Sequence, residues 1–361
     1  MSGAGSIGAP AQALRSIASQ DGIHCIAVPT PFLVGRVNCW LIEDDPLTLI
    51  DTGPNSGKSL DELSRAIEAL GYSIAELERI VITHQHMDHL GLLEILSRRS
   101  GAEVAAFHPL GPYLENFSAA ATADDEFAMA LMLRHGVPGD LATALGSVGA
   151  SFRAFGSSGR VTRPLHDGDQ LEFRDRTLQV LHRPGHSPSD TVFWDSERRI
   201  LIGGDHLLAH ISSNPLLSRP LDGDSDSTRA HTTGPHPTHP HPTRPHALLR
   251  YIDSMRATRE LPAEVVLTGH GEPVLDHTAL IDERFRMHHR RARKLLGMLE
   301  AQPLSAYELA TLMWGNIAVT QAFLTLSEVL GHMDLLIEDG LVAEDSGDEL
   351  TRFAAVASET S

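Results

Sequence analysis

The chain is short of lysine, of cysteine and of long apolar runs, and each shortage closes off a class of protein. Lysine occurs only at Lys58 and Lys294, so arginine supplies 27 of the 29 basic residues; against 47 acidic residues the formal net charge is −18. Such a surface repels phosphate backbones and argues against broad nucleic-acid binding. The only cysteines are Cys25 and Cys39. Both sit inside strand-like runs, Ile23 to Val28 and Val37 to Ile42, which makes them buried free thiols rather than a disulfide or metal ligands. Any metal must then be held by histidine and aspartate. No apolar run is long enough to span a bilayer. The stretch from Met1 to Gln20 lacks the basic start and apolar centre of a secretory signal. The expectation is a soluble cytoplasmic protein.

What is present is histidine, 21 residues of it, and enough apolar sequence (42% of 361 residues) for one large domain and a smaller one. The chain is organised around Thr83-His84-Gln85-His86-Met87-Asp88-His89, an H-x-H-x-D-H pattern. Three imidazoles and a carboxylate so close together suit zinc and other borderline metals. Arg79 to Thr83 is a β-branched run that reads as a buried strand, and Leu90 to Leu96 has helical spacing. The candidate ligands therefore lie on a strand-to-helix turn, a usual place for a site on an open α/β layer. His84 and His86 can reach one point from an extended loop, while Asp88 and His89 open the helix and point elsewhere, so one loop can feed two neighbouring metals.

Residues 1–21 read as a flexible N-terminus. Strands follow at Ile23 to Val28, Val37 to Ile42 and Leu47 to Ile50, the last ending in Asp51-Thr52-Gly53. Ser59 to Leu70 is an amphipathic helix with Leu60, Leu63, Ile67 and Leu70 on one face. Residues 112–156 interrupt the strands as a helical insertion, which either shapes a substrate pocket as a lid or packs against the sheet. Strands resume at Gln170 to Phe173, Leu178 to Leu181, Thr191 to Trp194 and Ile200 to Ile202. Residues 222–246 are a His/Pro-rich stretch whose prolines forbid regular structure; its histidines cannot preorganise a catalytic metal, although they can bind zinc or nickel adventitiously. Ala247 to Arg256 reads as a helix and Glu264 to Leu267 as a strand. Residues 276–361 are mainly helical and end in a candidate hairpin, an order that resembles a winged helix.

Three later motifs each follow a strand: His182-Arg183-Pro184-Gly185-His186, Gly203-Gly204-Asp205-His206 and Thr268-Gly269-His270-Gly271. Their glycines let the backbone turn sharply beside each candidate ligand. Alone, each is an ordinary turn. In series with the opening loop they resemble the metallo-β-lactamase superfamily, and its glyoxalase II-like hydrolase branch in particular, over about residues 22–275. The resemblance implies an α/β (α+β) fold of the αββα kind, two mixed sheets face to face with helices outside, here followed by a small C-terminal helical, winged-helix-like domain. It implies that His84, His86 and His186 bind one metal, that Asp88, His89 and His270 bind a second, and that Asp205 bridges both. It places Asp51 behind the ligand loop as a brace.

The donor chemistry agrees: such nitrogen and oxygen ligands suit two divalent ions about 3.5–4 Å apart. Zinc is the default, and iron and manganese tolerate the same set. The expected chemistry is hydrolysis by a hydroxide bridging the metals, since metal binding lowers the pKa of water from about 16 to about 7. Asp88 orients it, and His206 is a candidate substrate contact. The first choice of substrate is a thioester of the acyl-glutathione or acyl-CoA type. A lactone or carboxylic ester comes next, then a phosphodiester in the manner of an endoribonuclease, then a non-hydrolytic metal-binding role. The partner is a small acyl molecule, with no membrane and with nucleic acid disfavoured: the candidate recognition helix carries Glu328, Asp334, Glu338 and Asp339 and no Lys or Arg. A homodimer is compatible with the C-terminal segment.

Overall fold

The computed structural model describes residues 18–222, 244–346 and 350–356. The first sheet has the order β1 to β6: β1 (Ile23–Val28), β2 (Val37–Ile42), β3 (Thr48–Ile50), β4 (Arg79–Ile82), β5 (Glu103–Phe107) and β6 (Arg163–Leu165). Its first three strands pair antiparallel and its last four in parallel. The second sheet runs β11-β10-β9-β8-β7, built from β7 (Gln170–Glu172), β8 (Thr177–His182), β9 (Thr191–Asp195), β10 (Ile200–Gly204) and β11 (Val265–Thr268). Here β7 to β10 pair antiparallel and β10 with β11 in parallel, so β8, β10 and β11 point the same way.

Period-2 alternation sorts the side chains into layers. From β2 and β4, Trp40, Ile42 and Val81 join Phe193, Ile202 and Leu267 between the sheets. The alternate residues Val37, Cys39, Leu41, Ile80 and Ile82 face outward. They pack against α1 (Gly57–Ala69), α2 (Met87–Leu90), α3 (Leu93–Ser100), α4 (Leu110–Glu115) and the start of α5 (Phe117–Arg134). The insertion continues with α6 (Gly139–Phe152). On the far side, Val192, Trp194, Leu201 and Val266 pack against α7 (Ala247–Arg259) and α8 (His277–Met298). The stack is therefore helix, sheet, sheet, helix, the expected αββα sandwich.

The C-terminal part comprises α9 (Ala306–Trp314), α10 (Ile317–Thr320), α11 (Ala322–Glu338) and the antiparallel hairpin β12 (Val342–Ser346) with β13 (Thr351–Ala355). The expected order of helices and hairpin is present. The helix expected to face a partner, α11, is instead packed in: Glu328 is tied to Arg291 and Asp334 to Arg244, and both acids are buried. The middle of the insertion departs from the expected packing against a sheet. Leu131, Met132, Val137 and Ala142 share one apolar cluster with Leu295, Leu309, Leu326 and Phe353, so this part packs on the C-terminal helices. The short parallel strand β6 carries no sequence signal, and the helix expected from Leu90 is divided into α2 and α3. Most of the His/Pro-rich stretch and of the N-terminus lies outside the described residues.

Candidate metal centre

The directions of the strands decide where the site lies. Asp51 follows β3 and the His84–His89 loop follows β4, a parallel neighbour; His186, Asp205 and His270 follow β8, β10 and β11, which share a direction. All these loops leave at one edge of the sandwich. Cross-sheet bonds hold that edge together. The amide of Asn38 donates to Gly269 O (2.7 Å), its side chain to Thr268 O (3.0 Å), and the amide of Thr191 to Thr83 O (3.0 Å).

The edge brings the seven expected ligands together. Ring nitrogens of His84, His86 and His186 form one group, Asp88, His89 and His270 a second, and His84, His89 and Asp205 a third between them; within each group the donor atoms lie within 4.8 Å of one another. His86 Nδ1 is 3.1 Å from His84 Nε2 and 2.9 Å from His186 Nε2. The Asp205 carboxylate faces both sides: Oδ2 is 3.7 Å from His186 Nε2 and 3.4 Å from His270 Nε2, and Oδ1 is 3.5 Å from His89 Nε2. His270 Nε2 also lies 3.3 Å from Asp88 Oδ2.

Outer partners set which nitrogen faces inward. Thr83 Oγ1 lies 2.8 Å from Asp51 Oδ2 and 2.9 Å from His84 Nδ1. A carboxylate only accepts, so the hydroxyl donates to Asp51 and accepts from His84 Nδ1–H. That leaves the lone pair on His84 Nε2, toward the centre. The second imidazole is held directly: His89 Nδ1 donates to Asp51 Oδ2 (2.7 Å). Asp51 thus orients one imidazole in each of two groups, as outer carboxylates do for metal-binding histidines. It does so from a left-handed backbone, φ 60°, which aims its side chain back under the loop. His270 Nδ1 donates to Arg36 O (2.8 Å) and His186 Nδ1 to Asn214 O (3.1 Å). Neither carbonyl can be anticipated, because a backbone acceptor leaves no mark on the sequence. Sequence reasoning also misses the role of Thr83, although a hydroxyl directly before the first ligand is a visible signal.

The electrostatics are those of a site built for cations. Burial lowers His84 well below the usual imidazole range and His86 to about 3, so both rings are neutral donors. Burial also opposes charge on His89, but the carboxylates of Asp205, Asp51 and Asp88 outweigh it and raise that imidazole. His89 Nε2 and Asp205 Oδ1 are buried without a hydrogen-bond partner. A Cβ added at Gly269 would lie 2.2 Å from Asp205 Oδ1 and 2.8 Å from His89 Cε1, so only glycine lets these two groups approach. Orphaned donors around a space kept free of side chain fit a metal ion. His206 turns away from this space: it is 1% exposed, its Nε2 bonds Thr258 Oγ1 (2.9 Å), and its carbonyl accepts from the Tyr251 hydroxyl. It braces the turn and is not placed to touch substrate.

A two-sheet sandwich with helices outside and a His/Asp cluster at its loop edge defines a class of metal-dependent hydrolases. The chain belongs to the metallo-β-lactamase superfamily, whose family model matches residues 33–270. It is 32% identical over 316 residues to the probable metallo-hydrolase YqjP of Bacillus subtilis, covering 88% of this chain and 92% of that protein. It is 30% identical over 199 residues to the acyl-coenzyme A thioesterase MBLAC2 of Bos taurus, covering 51% of this chain and 63% of that one. The fold matches a β-lactamase domain protein from Burkholderia ambifaria with a TM-score of 0.74 at 24% identity, covering 93% of this chain and 92% of that one. It also matches a metallo-β-lactamase family protein from Thermus thermophilus, with a TM-score of 0.72 at 24% identity and coverage of 93% and 99%.

Proposed function

We propose that the protein is a dinuclear-metal hydrolase, with zinc as the metal, whose substrate is a thioester of the acyl-CoA or acyl-glutathione type. The observation that carries the dinuclear reading is Asp205, whose carboxylate lies between the two histidine groups, with Oδ2 near both His186 and His270 and Oδ1 near His89. In this reading His84, His86 and His186 hold one ion, Asp88, His89 and His270 the other, and Asp205 both. A bound pair supplies a nucleophile from water at neutral pH and Lewis acidity toward a carbonyl oxygen.

The chain's own residues provide the rest. Asp51 and Thr83 hold the ring of His84 in one tautomer, and Asp51 does the same for His89. Burial works against charge on Asp88, but His89 and His270 keep it ionised, so it is the carboxylate available to orient a water and take its proton.

The acyl preference rests on an apolar wall. Phe32, in the loop between β1 and β2, packs on Phe152 and Phe155 at the end of the insertion, with ring centroids 5.4 and 6.2 Å away. Its neighbour Leu33 is 95% exposed. The same loop supplies the Arg36 carbonyl that fixes His270, and the Phe155 backbone lies tight against Gly91, two residues after His89, where an added Cβ would be 2.2 Å from the Phe155 carbonyl. An acyl chain is the ligand such a surface suits. The thioesterase named above points the same way over half of the chain. Lactones and carboxylic esters present the same carbonyl and rank second. A phosphodiester ranks below them, because the net charge is −18 and α11, the candidate recognition helix, is packed into the interior rather than open to a partner. The absence of an apolar spanning helix among the described residues is compatible with a cytoplasmic enzyme.

The test is turnover by metal-replete protein on a panel of acyl-CoA and acyl-glutathione thioesters, lactones, β-lactams and a short RNA. Thioesters should be the best substrates. His84→Ala and Asp205→Ala should each lose metal and activity together. Preferential RNA cleavage, or full activity in metal-free protein, would reverse the proposal.

A further inference from the structure

A second set of metal-binding donors lies away from the hydrolytic centre and shares no residue with it. Glu328 and His332 are four residues apart on α11, so they occupy one face of that helix, one above the other. His288 faces them from α8. Glu328, His332 and His288 are 7%, 0% and 1% exposed respectively, and a ring nitrogen from each histidine and a carboxylate oxygen from Glu328 lie within 4.8 Å of one another.

The hydrogen bonds around the two imidazoles do not close. His332 Nδ1 is 2.6 Å from the Glu328 carbonyl, which can only accept, so that nitrogen carries the proton and Nε2 carries the lone pair. His332 Nε2 lies 3.2 Å from His288 Nδ1, while His288 Nε2 is buried without a partner. If His288 is protonated on Nδ1, it leaves a bare lone pair on Nε2 in the interior. If it is protonated on Nε2, a bare donor is buried and two lone pairs oppose each other at 3.2 Å. Either tautomer wastes a polar group that folded proteins normally satisfy. Close imidazole nitrogens are also what His84, His86 and His186 show in the hydrolytic centre, at 3.1 and 2.9 Å. Positive neighbours oppose a cation here: Arg291, whose guanidinium bonds Glu328 Oε1 and lies over the Trp314 ring, and Arg284 and His289, which with Arg291 act on His288.

We propose that His288, Glu328 and His332 form a separate zinc site that ties α8 to α11. Two imidazoles and one carboxylate are a donor set that zinc accepts, with the fourth position left for water. The site cross-links the helix that follows the last strand of the sandwich to the most buried helix of the C-terminal part. It requires nothing of the hydrolytic reaction.

The deciding measurement is anomalous diffraction at the zinc edge from crystals of the wild-type, zinc-loaded protein. Density between His288 and His332 supports the site, and its absence there, with the hydrolytic centre occupied, overturns it. In solution, His288→Gln and His332→Gln should each bind one zinc fewer per chain than wild type and should keep thioesterase turnover. Comparing variants that differ at a single residue cancels zinc held elsewhere, including by the histidines of residues 231–246. Folded variants with an unchanged zinc count would show that the two rings are only a hydrogen-bonded pair.

Discussion

Asp51 shows how one carboxylate can govern a site it does not enter. It accepts from the amide of Thr83 (2.9 Å), from the Thr83 hydroxyl and from His89 Nδ1, and through Thr83 it fixes His84. An asparagine there keeps the shape but replaces one acceptor oxygen with a donor, so either Thr83 or His89 must lose its bond. Asp51→Asn should lower metal affinity about 10–100-fold, the usual effect of removing an outer partner. Competition with a chelator measures it. An unchanged affinity would mean that backbone geometry alone orients the rings. The ligands themselves were legible in the sequence because each sits beside glycine or another ligand at a strand end. His206 has the same signature but the opposite fate, since Thr258 and Tyr251 claim it from α7. A neighbour 52 residues away cannot be read from a motif.

Among the elements, the loop between β1 and β2 and the insertion act as a pair. Phe32 from one meets Phe152 and Phe155 from the other, and the Phe155 carbonyl accepts a bond from the amide of Asn55 in the turn before α1. Truncating Phe32 removes apolar surface without touching a candidate ligand. Phe32→Ala should raise KM for long acyl-CoA substrates several-fold while leaving kcat on acetyl-CoA close to wild type, since burying each methylene contributes about 0.8 kcal/mol. An equal loss on both substrates would place Phe32 in loop folding instead. The strands of the sandwich were legible because β-branched runs alternate between two buried faces. The strand β6 was not, because Arg163-Pro164-Leu165 is three residues with a proline in the middle, tolerated at a sheet edge. The acidic face of α11 also misled: Glu328 and Asp334 look solvent-facing until Arg291 and Arg244, 37 and 90 residues distant, are brought to them.

At the scale of the whole molecule, buried histidines make stability depend on pH. His135 joins the insertion to the C-terminal part: its carbonyl accepts from the amide of Tyr307, and its ring stacks on Phe353. Burial, helped by Arg244, lowers its pKa to about 3. The unfolded chain binds a proton near pH 6.5, while the folded chain resists it until about 3. The stability from a neutral His135 is therefore complete above pH 6.5 and is lost progressively as the pH falls toward 3. His135→Gln should flatten the fall in stability between about pH 6.5 and 4 by close to one proton, measured by urea unfolding at a series of pH values. An identical slope would show that His135 takes up its proton in the fold as readily as in the unfolded chain.

The apolar cluster shared by residues 131–142 and the last helices bears on how such proteins can be recombined. The two stretches lie far apart in sequence, yet each fills gaps left by the other. A chimera that borrows only one of them from a relative inherits mismatched shapes, whereas one that borrows both carries a matched pair. Swaps meant to change substrate range through the insertion therefore have to take the C-terminal helices with them.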